Sequence, residues 1–223
     1  AASPDSAWPA PIRSLIEATV RVPLVERAIA SRITPVVATT DAVSRRVKSQ
    51  YEDHPYPRWF TLPRPGAVRP SAHLAAILPG FVPPAMIDGP IAVLVAGCGT
   101  GREALFLAEL FEDAMVTAID LSRASLGYAI AKAAALAIRN AAFRECDILN
   151  VTALGRRFDL ITSSGVLHHL DSPEAGLAAL AEVLAPGGLV HLSLYSRTAR
   201  RPIAAARARI AALGLEPDAE GLR

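Results

Sequence analysis

Lysine is almost absent from this sequence. Of 23 basic side chains in 223 residues only Lys48 and Lys132 are lysines, against 21 acidic ones. A formal charge of +2 makes no electrostatic demand for a polyanion, so nucleic acid is not favoured as a partner. The arginine bias, with its heavy use of alanine, reads as genome composition rather than as a binding surface. Cysteine is as scarce. Cys98 and Cys146 stand far apart, too few for a disulfide framework or a metal cluster, and predict reduced thiols in a cytoplasmic protein with no metal site. Aromatics make up 5% and form no stacking platform for a single strand. No apolar run reaches the length of a membrane span, and the opening "AASPDSAWPAPIRSL" lacks a basic segment followed by an apolar core, so nothing predicts export or anchoring. An initiator Met is also missing, which points to a start inside a longer polypeptide or after processing.

What is present suits an α/β domain with an extension: 52% of residues are hydrophobic and 20% charged, enough to bury a core at this length. From Ile12 to about Gln50 the apolar residues recur every three or four positions (Leu15, Ile16, Thr19, then Val25, Ile29, Ile33), predicting amphipathic helices interrupted near Pro23 and Pro35. Residues 51 to 70 carry five prolines and predict irregular chain, with a short helix near 71–78. From Ile91 strands and helices alternate: strand 91–96, helix 101–112, strand 115–119, helix 123–138, strand 142–146, strand 158–163, helix 173–185, strand 189–194, helix 198–213. That rhythm predicts a Rossmann-like, mostly parallel sheet wrapped by helices. Ser172, Pro173 and Glu174 supply an N-cap, a first-turn proline and an acid at the positive helix end, and "PGG" at 186–188 is expected to stop that helix. The expected division is residues 1–85 as helical extension, with a lid-like proline and aromatic segment at 51–59, and 86–223 as the α/β domain.

The stretch "VLVAGCGTGREAL" ends a strand in a glycine turn that opens a helix, the place where open α/β folds bind ligands. A dinucleotide fingerprint needs a third glycine where this sequence has Arg102. The glycines fall instead at 97, 99 and 101, with Ala96 and Cys98 between and before them, a spacing that lets main chain lie against a ligand without phosphates. S-adenosylmethionine fits, its amino-acid end meeting the loop amides. The second strand ends in Asp120 and Leu121, where an acid accepts hydrogen bonds from ribose hydroxyls. The third ends in Asp147 and Ile148, an acceptor for an adenine amino group beside an apolar side chain for the ring. Asp120 also has the local reading of a helix cap, and Asp147 that of a turn.

Taken in order, "VLVAGCGTGREAL", "VTAIDLS", "ECDIL", "FDLITSSGVLHHL" and "LAPGGLVHLSLYS" resemble the motifs of class I S-adenosylmethionine-dependent methyltransferases. "YEDHPYPRW", "DLSRASLGYA", "GVLHHLDSPEAG" and "LYSRTAR" resemble more narrowly a bacterial branch of them often attached to tetratricopeptide repeats. The resemblance implies a cofactor site at the ends of strands one to four, methyl transfer, and such repeats elsewhere in the full-length polypeptide. It leaves open whether the acceptor is a small molecule or a protein side chain. A non-catalytic S-adenosylmethionine-binding module in a larger protein is the alternative.

After the fourth strand, Ser163, Ser164 and Gly165 are candidates for lining the cofactor's methyl end, and His168 or His169 for taking a proton from an oxygen or nitrogen acceptor. Local capping or packing is the competing reading of the two histidines. Methyltransferases acting on exocyclic base amines or glutamine amides resemble one another in an Asn/Asp-Pro-Pro-Tyr/Phe motif at this point, and Ser-Ser-Gly-Val stands here instead, which disfavours those acceptors. In "YEDHPYPRW" the side chains of Tyr51, His54, Tyr56, Arg58 and Trp59 offer hydrogen bonds and flat surfaces for a lid or an acceptor wall, with Tyr51 assigned to the cofactor site and Arg58 facing a methionine carboxylate. Anchoring of the helical extension is the alternative. By resemblance, two further strands should follow the helix after strand five. "GLEPDAEGLR" offers none, so strand five is expected at a sheet edge, in a fragment that binds cofactor but is weakly active or inactive alone.

Overall fold

The structure is a computed structural model that describes residues 8–53 and 55–214. Its centre is β1 (Ile91–Ala96), a run of branched aliphatic residues and alanine that is almost wholly buried, as a strand covered on both faces must be. Parallel neighbours flank it: β2 (Ala114–Asp120) on one side and β4 (Phe158–Ser164) on the other. Outside them lie β3 (Ala141–Glu145) and β5 (Leu184–Ser193), giving the order β3-β2-β1-β4-β5. Side chains of β1 alternate between two cores, Ile91, Val93 and Val95 entering one and Leu94 and Ala96 the other. That is the two-residue period of a strand sandwiched between helical layers.

The crossover helices are α5 (Arg102–Leu110), α6 (Arg123–Ala135) and α7 (Pro173–Glu182). Ser122 and Ser172 cap the last two, accepting from Ser125 N and Ala175 N. The chain builds outward from β1 through β2 to β3, then returns to β4 on the other side. This reversal leaves a crevice at the carboxyl ends of the strands, between β1 and β4.

The extension contains α1 (Ala10–Ile16), α2 (Val22–Ala30), α3 (Ala42–Asp53) and α4 (Pro70–Ile77). Pro23 does not interrupt the first helical run. A π-helical stretch, Glu17–Arg21, joins α1 to α2, and Val22 N donates to Glu17 O. The widened turn accommodates a proline that has no N–H to give and would crowd a regular preceding turn. α2 crosses α6 at Gly127, where a Cβ would stand 2.5 Å from Glu26 O. Beyond Pro35, Val36 N donates to Glu145 O, tying the extension to β3.

Two expectations at the far end change. The helix before "PGG" ends at Glu182, and residues 186–188 lie within β5, where the pairing to β4 shifts register between Phe158 and Leu160. An edge strand absorbs such an irregularity because Pro186 needs no partner on its open side. α8 (Arg201–Ala212) follows with no buried residue. β5 is an edge among the described residues, as expected, and the stretch from Leu215 lies outside them.

Candidate functional site

A cavity of about 670 Å³ opens at the carboxyl ends of β1, β2 and β4. Its floor is the loop Gly97-Cys98-Gly99-Thr100. Gly97 has φ 76, and a Cβ there would collide with the Val166 side chain. Gly101 has φ 79 but faces away from the cavity: a Cβ would stand 2.5 Å from that of Ala129, so this glycine lets α5 and α6 approach. Ala96 is likewise buried in the core rather than on the cavity wall. The Cys98 thiol is pushed well up by burial and by Asp120, and that of Cys146 up to about 11 by burial and Asp147, so both stay protonated.

Asp120 shapes the loop as well as facing the cavity. One carboxylate oxygen accepts from Gly99 N at 2.7 Å, the other from Ser122 N at 2.9 Å. Burial raises its pKa, against the pull of these amides. Each oxygen keeps a further lone pair for a hydroxyl donor. Asp147 is 1% exposed. Its Oδ1 accepts from Leu149 N at 3.0 Å, while Oδ2 is buried and has no partner. An unspent buried carboxylate oxygen is costly unless a donor arrives. Leu121 and Ile148 line the same end of the cavity.

The wall opposite the sheet comes from the extension. Ser44, Val47, Lys48 and Tyr51 of α3 all line the cavity, at the i, i+3, i+4, i+7 spacing of one helical face. The first three were not among the sequence candidates, although that period was legible. α3 is held by Lys48, which meets Glu145, a carboxylate 2% exposed that also accepts from Arg123 Nε. Glu52 caps the start of α6, accepting from Ala124 N and Ser122 Oγ.

The segment after α3 is both anchor and wall. Tyr56 and Pro57 line the cavity. Trp59 is buried and donates from Nε1 to Thr100 O at 3.0 Å, and Thr100 Oγ1 donates to Pro57 O. Arg58 is not available for a ligand carboxylate: its guanidinium forks onto both oxygens of the buried Glu26 at 2.8 Å and lies 4.6 Å over the Tyr128 ring. A buried acid on α2 needed that cation more than an open pocket did. His54 lies outside the described residues.

After β4 the candidates separate. Ser164 and Gly165 line the cavity, whereas Ser163 is fully buried behind it. His169 is on the cavity wall, its ring edge-on to Tyr51 and to Tyr195 at 6.5 Å. His168 is not on that wall. It stacks on Tyr195 at 3.8 Å, and both its ring nitrogens are buried without a partner. Desolvation first, then neighbouring positive charge, lowers the pKa of both imidazoles. Tyr195, from just beyond β5, also lines the cavity; it lies within the "LYSRTAR" motif but was not among the candidate site residues. Among the described residues no group of His, Cys, Asp and Glu forms a metal cluster, and no helix is long and apolar enough to cross a membrane.

Residues 93–188 match the methyltransferase domain family. An uncharacterized protein of Synechococcus sp. is 36% identical over 78% of this chain and 42% of its own length. A trans-aconitate 2-methyltransferase of Deinococcus radiodurans is 35% identical over 54% of the chain and 42% of its own length. The chain thus spans less than half of either relative. A solved structure described for the conversion of a disulfide bond into a thioacetal group during echinomycin biosynthesis is 29% identical, with a TM-score of 0.52, covering 75% of this chain and 65% of that one.

Proposed function

We propose, from the premise that residues 93–188 are a class I methyltransferase domain whose cofactor is S-adenosylmethionine, that this chain transfers a methyl group to an oxygen or nitrogen of a small molecule or protein side chain. The observation that carries the reading is the convergence on one cavity of the glycine loop, Asp120, and Asp147 with its unspent buried oxygen. In this reading Asp120 accepts from the ribose hydroxyls and Asp147 Oδ2 from the adenine amino group. Leu121 and Ile148 flank the base. The loop from Gly97 to Thr100 and the face of α3 ending in Tyr51 enclose the remainder.

Bound, S-adenosylmethionine supplies a methyl group on a sulfonium whose departing sulfur becomes a neutral thioether, so alignment matters more than acid–base chemistry. His169, on the cavity wall, takes the proton of a hydroxyl or amine acceptor. Its depressed pKa keeps the imidazole neutral and able to accept near pH 7. The strap through Tyr56 and Pro57 excludes water from one side. His168 holds Tyr195 in place rather than meeting the acceptor. The tetratricopeptide repeats elsewhere in the full-length polypeptide, implied by the resemblance of "YEDHPYPRW" and its companion motifs, belong to the same proposal, as does the cytoplasmic setting expected from two lone cysteines.

Two measurements test this function. Calorimetric titration with S-adenosylhomocysteine should give a single site, and cell extract incubated with the protein and methyl-labelled cofactor should yield a labelled product on mass spectrometry. Cofactor binding without any labelled product from extract of the source cells would favour the non-catalytic module instead.

A further inference from the structure

Arg58, the expected partner of a methionine carboxylate, is spent on Glu26. Two other basic side chains line the cavity, Lys48 and Arg102. Lys48 is paired with the buried Glu145. Arg102 is exposed and, among the described residues, has no ion pair, no side-chain hydrogen bond and no ring contact. It opens α5, whose N-cap is Gly101, a residue with no side chain to cap the first turn. The positive end of that helix adds to the attraction for an anion at Arg102.

Glu103, the next residue of α5, also lines the cavity. Among the described residues it has no ion pair, and its one hydrogen bond is a long one, accepted from Ser164 Oγ at 3.5 Å. Consecutive residues of a helix do not face each other, so Arg102 and Glu103 stand side by side as an unspent cation and an unspent anion. The Ser164 contact fixes where they stand. Ser164 ends β4, and β4 lies on the opposite side of β1 from β2 and β3, whose ends carry Asp120 and Asp147. A ligand whose nucleoside meets those two acids therefore crosses the end of β1 to bring its other end to Arg102 and Glu103. The charge of Glu103 is felt on the cavity floor, where it adds to burial and to Asp120 in raising the pKa of the Cys98 thiol.

Resting on the cofactor reading above, we propose that Arg102 and Glu103 grip the zwitterionic amino-acid end of S-adenosylmethionine, Arg102 donating to its α-carboxylate and Glu103 accepting from its α-ammonium group. An amino-acid end carries both signs on one carbon, and this is the place in the cavity where both signs stand unspent together. A guanidinium fork matches a carboxylate, while a carboxylate borne by the acceptor alone leaves Glu103 unmatched. The cavity then reads the cofactor at both ends, the nucleoside on the β2 and β3 side and the amino acid on the β4 side.

The test is a calorimetric titration of the whole chain with three ligands. These are S-adenosylhomocysteine, S-adenosyl-3-thiopropylamine, which lacks only the carboxylate, and 5′-methylthioadenosine, which lacks the amino-acid end altogether. Affinity should fall at least about tenfold with loss of the carboxylate and about tenfold again with loss of the ammonium, one charge-assisted contact each. Arg102→Gln should bind S-adenosylhomocysteine and S-adenosyl-3-thiopropylamine alike, and Arg102→Lys should keep the difference in part. Glu103→Gln should bind S-adenosyl-3-thiopropylamine no better than 5′-methylthioadenosine. The affinity of both Gln variants for 5′-methylthioadenosine, and their thermal midpoints, should stay at the wild-type values. Equal wild-type affinity for S-adenosylhomocysteine and S-adenosyl-3-thiopropylamine, a difference that survives Arg102→Gln, or a loss that extends equally to 5′-methylthioadenosine overturns the proposal and leaves the cofactor reading standing. A chain that binds none of the three ligands overturns both.

Discussion

Trp59 and Thr100 hold each other's segments across 41 residues of sequence: the indole donates to the Thr100 carbonyl, and the Thr100 hydroxyl donates back to the strap at Pro57. The glycine loop is therefore braced from outside the sheet.

Trp59→Phe keeps an aromatic ring near Tyr128 but leaves the buried Thr100 carbonyl without its donor. A cost of about 1–3 kcal/mol is expected, seen as a lower midpoint in thermal unfolding by circular dichroism, with weaker binding of S-adenosylhomocysteine. An unchanged midpoint would show that the strap does not brace the loop.

The two acids should respond differently. Asp120→Asn turns an amide N–H toward either Gly99 N or Ser122 N, so the loop loosens and cofactor affinity falls at least about tenfold. Asp147→Ala removes the unspent oxygen. Wild type should favour S-adenosylhomocysteine over its inosine analogue, which lacks the amino donor, by about tenfold, and Asp147→Ala should bind the two alike. Calorimetry with both ligands decides whether Asp147 reads the adenine amino group.

Gly127→Ala places a methyl against Glu26 O at the crossing of α2 and α6. Backbone cannot yield as a flexible side chain does, and a loss of about 1–3 kcal/mol is expected. Faster proteolytic cleavage within residues 10–30, with the sheet still protected, is the predicted pattern. Retention of wild-type protection would mean that the crossing relaxes freely.

Protonation separates the histidines. For His168 the folded pKa is lowered below 6.5, so the unfolded chain binds more protons in acid. The stability it contributes is complete above pH 6.5 and is lost as pH falls through the lowered folded value. His168→Phe, which retains a stackable ring, should flatten that acid limb in denaturant titrations between pH 5 and 7. For turnover, His169→Ala should abolish the step that needs a base. In wild type the acid limb of kcat should fall below pH 6.5, and a limb centred at or above that pH would rule out an imidazole so perturbed.

The sequence by itself determined the parallel sheet, the glycine turn and the two acids at strand ends. Each rests on local regularity: the alternation along β1, a glycine run directly after it, and polar residues one position beyond an apolar stretch. Tertiary structure decided which neighbours face the ligand. Gly101 and Ser163 carry the same motif signal as Gly99 and Ser164, yet one packs against Ala129 and the other is buried. Arg58 was claimed by Glu26 on α2, and Tyr195 drew His168 out of the cavity. Spacing along a chain specifies which residues lie near a strand end. It does not specify the direction of a side chain whose partner lies dozens of residues away, because that choice is made by burial and charge pairing after the elements have met.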